Sequence, residues 1–429
     1  MIVDHIDPTY TAGTMKIGII GLGYVGLPLA VAFADAGHDV VGIDTDSRVV
    51  DALGRSRSHV DDVPDAALET LDGRLRASTD PAGLGECDAV VICVPTPLAN
   101  QREPDLSYVA DAARALTPEL RAGQLVVLES TTYPGTTRER LRPILEESGL
   151  AAGRDFHLAF SPERIDPGRT DHTIRTTPKL VGALTDACRE RAVALYSEIC
   201  DEVVAVSTPE AAELAKLLEN IFRSVNIALV NELAILCDRM EIDVWEVVEA
   251  AATKPFGFMR FDPGPGMGGH CLPIDPFYLA FKAREYDFAT EFIELAGKVN
   301  RHQPHFCVDK VVRALNDVRK PARGSKVLLL GVSYKAEIGD MREAPALKIT
   351  RLLEELGAEV SYHDPHVAEV AELGLASIPL GRGLAECDVA CVVTAHSEVD
   401  YERVVAEAPL VVDFRGVTRG ISAPNLVTL

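Results

Sequence analysis

The chain has 429 residues, 47% hydrophobic and 25% charged, a balance expected of a soluble globular protein of two or three domains with a large buried core. Its formal net charge of −23 repels polyanions, which argues against nucleic acid or an anionic membrane as partner. Only 11 of its 42 basic residues are lysine, so an individual lysine carries information. An anionic small ligand would need a local basic pocket.

No apolar run is expected to be long enough to span a bilayer. The first fourteen residues read as a tail without a basic-then-apolar leader pattern, and the cytoplasm is the expected compartment. Nine cysteines, an odd number with no CxxC, indicate neither a disulfide framework nor a zinc ribbon. Most sit in apolar surroundings and are expected to behave as small buried hydrophobes.

In chain order, KIGIIGLGYVG (16–26) is a buried strand entering G-x-G-x-x-G, and an apolar helix follows. HDVVGIDTD (38–46) is a second strand ending in Asp44. Strand, glycine turn, helix, strand and acid together form the dinucleotide-binding fingerprint. Its glycines permit a tight turn and close approach to a pyrophosphate, and Asp44 would accept from ribose hydroxyls, which favours NAD over NADP. The bland alternative is a glycine-rich turn kept for packing. ECDAVVICVPTP (86–97) and QLVVLESTTYPG (124–135) continue the sheet.

FSPERIDPGR (160–169) places Glu163 and Arg164 just beyond a strand end. They would be either a surface ion pair or a general base with a substrate clamp. TPEAAELAKLLENIFRSVNIALVNELAILCDRM opens a helical middle with apolar residues at three- and four-residue spacing. Lys216 and Asn220 share a face of it. Lys216 is either a snorkelling stem or a functional cation.

GPGMGGHCLPIDP (264–276) crowds glycines and prolines around Cys271, with Asp275 four residues on. It is either a structural turn or a loop presenting a nucleophile. The histidines of HQPH (302–305) and HDPH (363–366) are expected to be solvated loop residues, because proline interrupts both and no third ligand is evident. No metal site is expected.

The first half's order recurs in KVLLLGVSYKA (326–336), AEVSYHDPH (358–366), ECDVACVVTAH (386–396) and LVVDFRG (410–416). The fold class is therefore α/β. Two Rossmann-like parallel-sheet domains, 15–207 and 306–429, are joined by a central helical domain, 208–305, with a long helix whose apolar faces could hold a dimer.

GLGYVGLPLA, ESTTYPG, SPERIDPG, ELAKLLENIFRSVNIALVNEL, PGPGMGGHCLPIDP and SYKAEIGDMRE stand in one order along nearly the whole chain. In this the sequence resembles the UDP-sugar 6-dehydrogenases. The resemblance implies an NAD domain, a central helical domain forming a homodimer, and a UDP-binding domain. It also implies a four-electron oxidation of a sugar C6 alcohol to a carboxylate, using two NAD.

Under that resemblance Cys271 attacks the aldehyde, and Lys216 and Asn220 stabilise the oxyanion. Asp275 assists the first proton removal. Glu163 and Thr131 serve thioester hydrolysis. Gly21, Gly23, Tyr24, Val25, Gly26, Asp44, Arg48, Thr96, Thr131 and Arg342 would line the cofactor. Glu163, Arg164, Ile165, Lys216, Asn220, Arg260, Gly268, Tyr334 and Lys335 would contact the UDP-sugar.

RIDPGR follows the glutamate where UDP-glucose enzymes usually carry a phenylalanine–leucine pair and a second glutamate. This points to a UDP-N-acetylhexosamine, and within that class to UDP-N-acetylglucosamine. UDP-N-acetylmannosamine and UDP-glucose are the alternatives. Two rivals remain: a single-step 3-hydroxyacid-type dehydrogenase, which would not need Cys271, and a non-catalytic nucleotide-sugar binder.

Overall fold

The computed structural model describes residues 13–99, 103–165, 171–269 and 274–429. They fall into two compact units. One runs to Glu219 and includes Phe277–Phe288; the other comprises Asn220–Pro276 and Ala289–Leu429.

The first unit is built on an eight-stranded sheet. Its strands are β1 (Lys16–Ile20), β2 (Asp39–Ile43), β3 (Leu75–Ser78), β4 (Ala89–Ile92), β5 (Leu125–Leu128), β6 (His157–Phe160), β7 (Lys179–Ala183) and β8 (Val203–Val206). Their order is β3-β2-β1-β4-β5-β6-β7-β8. The first six are mutually parallel, as the sequence predicts. β7 then pairs antiparallel with β6, and β8 runs parallel to β7. Side chains alternate between the faces of a strand. Ala89 and Val91 accordingly join one buried cluster with Ile17 and Phe33, while Val90 and Ile92 join another with Val126 and Phe160.

The second unit carries β9 (Lys326–Leu330), β10 (Glu359–His363), β11 (Glu369–Val370), β12 (Leu375–Ala376), β13 (Val389–Val392), β14 (Val411–Asp413) and β15 (Leu426–Thr428). Five of these form a parallel sheet in the order β10-β9-β13-β14-β15, and β11 and β12 form a separate antiparallel pair. On one face Val327 and Leu329 pack with Val230, Trp245, Phe306 and Val311 from the helical segments. On the other, Leu328 and Leu330 pack with Val392 and Val404.

The helical segments are Pro209–Met240, Val244–Ala252, Asp275–Arg284 and Glu291–Asp317. The last corrects one expectation. HQPH is not a loop, because the helix runs straight through Pro304. Gln303 and Pro304 are buried, as are Phe306, Cys307 and Val308 after them, so burial outweighs the hydrogen bond that proline removes. His302 and His305 remain exposed on its outer side. HDPH is corrected too: Asp364 is buried and His363 Nδ1 lies 2.9 Å from the Ile378 carbonyl.

The expectation about apolar runs also needs amending. By length and composition Pro209–Met240 could cross a membrane, but 44% of its apolar window is buried within the protein. Glu213, Lys216 and Asn220 on it are buried as well.

Candidate active site

The glycine turn uses each glycine for a different reason. Gly21 has φ +92°, and a Cβ there would come within 2.7 Å of the Cys93 carbonyl oxygen. A Cβ on Gly26 would lie 1.8 Å from the Gly21 oxygen, so the helix Gly26–Asp35 can approach the turn only as glycine. A Cβ on Gly23 would meet nothing within 4 Å. That is space a phosphate could use, and a nucleotide fits this turn.

Asp44 stands just beyond β2, its Oδ2 accepting from the Leu22 N–H and its Oδ1 from the Asp46 N–H, both at 2.9 Å. Asp46 caps the next helix and also grips Arg48, whose guanidinium is otherwise exposed. Tyr24 is about half exposed. Beyond β4 and β5, Thr96 Oγ1 donates to the Thr131 carbonyl at 2.8 Å, and the Tyr278 hydroxyl donates to the Thr96 carbonyl at 2.7 Å.

Glu163 is neither on the surface nor paired with its neighbour Arg164. Its Oε1 accepts the Arg164 and Ile165 N–H groups at 2.7 and 2.6 Å, and its Oε2 lies 3.6 Å from Lys179 Nζ. Arg164 instead bonds the Pro178 carbonyl at 2.6 Å and Glu219 at 2.8 Å. Burial works against the Glu163 carboxylate. The Lys179 charge, the loop N–H groups and Lys216 outweigh it and hold the carboxyl below its ordinary range.

Lys179 also bonds Glu129, a fully buried carboxylate that takes the Tyr196 hydroxyl at 3.0 Å. Neither Lys179 nor Glu129 stood out in the sequence. The signal that could have found them is a lysine opening a strand in a chain with few lysines, and a glutamate closing an all-apolar one.

Lys216 sits on the helix Pro209–Met240 and is buried. One turn earlier, Glu213 accepts from the Gly135 N–H, the Thr137 N–H and the Thr137 hydroxyl at 2.6–2.8 Å, which ties this part of the helix to the loop after β5.

In the second unit, Asn220 Nδ2 donates to Asp275 Oδ2 at 2.5 Å, and both residues are buried. Asp275 opens the helix Asp275–Arg284 directly after the cysteine loop. Cys271 itself, with His270, lies outside the described residues. The glycines leading to it do not. Asn231 Oδ1 accepts the Gly264 N–H at 3.0 Å, and Asn231 Nδ2 donates to Asn300 Oδ1 at 3.2 Å. Asn300 in turn bonds the Ser224 carbonyl at 3.0 Å. This buried amide pair was likewise missed, since its meaning depends on two helices and a loop coming together.

A Cβ on Gly268 would sit 2.6 Å from Tyr334 Cβ, and the Gly269 N–H donates to the Arg342 carbonyl at 2.9 Å. The structure therefore brings the glycine loop and the SYKAEIGDMR segment together. Arg342 and Arg260 are each forked or bonded to an aspartate two residues away, Asp340 and Asp262. The eight described cysteines are unpaired and buried, and burial pushes Cys87 and Cys200 up to about 11, as inert thiols. Among the described residues no group of three or more His, Cys, Asp or Glu side chains could hold a metal.

Three family descriptions match in succession: the NAD binding domain of the UDP-glucose/GDP-mannose dehydrogenase family over residues 15–200, its central domain over 210–302, and its UDP binding domain over 328–420. The chain belongs to the UDP-glucose/GDP-mannose dehydrogenase family. It is thus an NAD-dependent nucleotide-sugar dehydrogenase.

Among relatives of this family member, a UDP-N-acetyl-D-mannosamine dehydrogenase of Campylobacter jejuni is 34% identical, over 89% of this chain and 96% of the relative. An NDP-N-acetyl-D-galactosaminuronic acid dehydrogenase of Ralstonia nicotianae is 35% identical, over 94% and 96%. The solved structure of a UDP-D-ManNAc dehydrogenase from Pyrococcus horikoshii superimposes with a TM-score of 0.89 at 31% identity, covering 96% of this chain and 99% of that one.

Proposed function

We propose that this protein oxidises the C6 hydroxyl of a UDP-N-acetylhexosamine to the carboxylate in two NAD-dependent steps. The observation that carries the reading is the buried Asn220–Asp275 hydrogen bond, which joins the long helix to the end of the cysteine loop. An amide and a carboxylate held together out of water suit charge development at one carbon. NAD, when bound, would supply the two-electron acceptor that each step needs.

The chain's own residues supply the rest. Gly21, Gly23, Tyr24, Val25 and Gly26 seat the pyrophosphate, Asp44 and Arg48 the ribose side, and Thr96 and Thr131 the inner edge. Arg342 is assigned to the cofactor by resemblance alone. Asp275 assists removal of the C6 hydroxyl proton. The Cys271 sulfur adds to the aldehyde carbon to give a thiohemiacetal, whose oxidation leaves a thioester. Lys216 and Asn220 stabilise the oxyanion. Glu163 takes a proton from the water that splits the thioester, releasing carboxylate and thiol, with Thr131 helping to hold that water. Arg164, Ile165, Arg260, Gly268, Tyr334 and Lys335 are the assigned UDP-sugar contacts.

Between epimers, the relatives named for N-acetylmannosamine make that sugar the first substrate to test. N-acetylglucosamine, the expectation from the residues after Glu163, comes second. Specificity constants for UDP-N-acetylmannosamine, UDP-N-acetylglucosamine and UDP-glucose decide the matter. At least tenfold preference for an acetylated sugar supports the reading, and preference for UDP-glucose overturns it.

The homodimer belongs to the same reading. Leu218, Phe222, Leu229, Leu233, Leu236 and Met240 recur at helical spacing on Pro209–Met240 and are exposed, Leu218 by 62% and Leu229 by 57%. An apolar stripe of this length needs a cover, and a second copy supplies it. Light scattering should give a dimer, and Leu229→Glu with Leu236→Glu a monomer. A wild-type monomer would remove the dimer from the account. With eight unpaired cysteines described and NAD as cofactor, we place the protein in the cytoplasm.

A further inference from the structure

Glu163 needs to be an anion to activate water, yet it is half-buried in a place that disfavours charge. The sheet's one reversal solves this. β6 and β7 pair antiparallel, with Ala159 opposite Ala183 and Phe160 opposite Gly182. Continuing that register past the strand ends sets residue 163 opposite residue 179. A parallel β7 would have put its first residue at the other edge of the sheet. Because it is reversed, Lys179 arrives where β5 and β6 end, between Glu129 and Glu163.

We propose that Lys179 is a positioning residue for the hydrolytic half of the reaction: anchored by Glu129, it fixes the place of the Glu163 carboxylate and keeps it ionised. The proposal rests on the reading of Glu163 as the base for thioester hydrolysis. Lys179 Nζ reaches Glu129 and stands 3.6 Å from Glu163 Oε2 and 5.0 Å from the centre of the Tyr196 ring. Glu129 is held in turn by the Tyr196 hydroxyl at 3.0 Å, with Cys93 Sγ 4.0 Å away. A buried ammonium cannot leave such a cage without stranding a carboxylate. The other groups acting on Glu163 are the Arg164 and Ile165 N–H groups from its own loop, Lys216 from the long helix, and the like charge of Glu129 across Lys179. Of the cations acting on Glu163, Lys179 has the largest effect, so its loss should be felt in the proton affinity of Glu163.

The test measures decay of the acyl-enzyme by acid quench and intact mass, across pH 5 to 9, on the full-length enzyme with NAD and UDP-sugar. Lys179→Met should move the acidic limb of decay upward by at least about one pH unit, the effect of removing a counter-charge at this range. Lys179→Arg should restore it. Because Lys179→Met alone leaves Glu129 buried without a counter-charge, the double variant Lys179→Met/Glu129→Gln provides a fold-neutral version, and it should show a smaller upward shift, since losing the Glu129 charge also relieves Glu163 of a repulsion. Glu163→Gln should slow decay at every pH. If Glu163→Gln stalls decay but folded Lys179→Met keeps the wild-type limb, the Lys179 proposal is overturned and Glu163 keeps its role. If Glu163→Gln decays like wild type, or accumulates no acyl-enzyme, the reading of Glu163 falls and this proposal with it.

Discussion

The two larger sheets use one turn twice, for opposite ends. Gly21 after β1 has φ +92°, and Gly331 after β9 has φ +79°; each would collide with a carbonyl oxygen if it carried a Cβ, Cys93 at 2.7 Å and Thr394 at 2.2 Å. In each, an aspartate beyond the next strand accepts the N–H of the residue after that glycine, Asp44 from Leu22 and Asp364 from Val332.

From there they diverge. In the first unit the chain enters a helix at Gly26 and Gly23 leaves open space. In the second, a serine stands at the place of Gly23 and the next helix waits until Pro345. Asp364 accepts from four backbone N–H groups, those of Val332, Ser333, His366 and Val367. It also takes a bond from fully buried His396. The His396 Nδ1 accepts the Glu337 N–H, which leaves the proton on Nε2 for Asp364. A shared turn has become an open cradle in one unit and a locked hub in the other. The lock holds the 333–337 loop that carries Tyr334 and Lys335.

The largest effect should come from that lock. Asp364→Ala strands four N–H groups and His396, and is expected to cost about 3–5 kcal/mol of stability, seen in chemical denaturation, with NAD affinity of the surviving folded fraction unchanged. Asp44→Ala should do the reverse, weakening NAD about tenfold by fluorescence titration while stability moves by about 1 kcal/mol. Equal stability losses would break the comparison.

pH sharpens it. Burial alone would raise the Asp364 carboxyl, but its His396 and N–H partners hold it below 3.8. Its stabilisation is therefore complete above pH about 4 and lost as pH falls through the lower folded value. Asp364→Asn should flatten that acid limb in a melting-temperature profile. A smaller effect is expected at the turns. Gly331→Ala should cost about 1–3 kcal/mol through overpacking and left-handed strain, whereas Gly23→Ala should leave stability nearly unchanged and weaken NAD. If Gly23→Ala binds NAD like wild type, the open cradle is not the cofactor's.

Most strands of both sheets were legible in the sequence, because buried parallel strands are continuous apolar runs closed by small or polar residues. The glycine turn was legible for the same reason: strand, turn, helix and acid lie within thirty residues. What was not legible depends on pairing between distant segments. Nothing in TPKLVGA says that β7 runs backwards, and so nothing links Lys179 to Glu129 and Glu163. Asn231 and Asn300 each read as one polar residue on an amphipathic helix until the glycine loop joins them. HQPH misled because a proline rule judged locally was overruled by a helix face buried from Asn300 to Leu315.

The most direct measurement of the central claim is NADH formed per UDP-N-acetylhexosamine consumed, with Cys271→Ser alongside. The account predicts two NADH per sugar in the wild type and no completed second oxidation in the variant. One NADH per sugar, with the variant unaffected, would contradict it and return the single-step dehydrogenase.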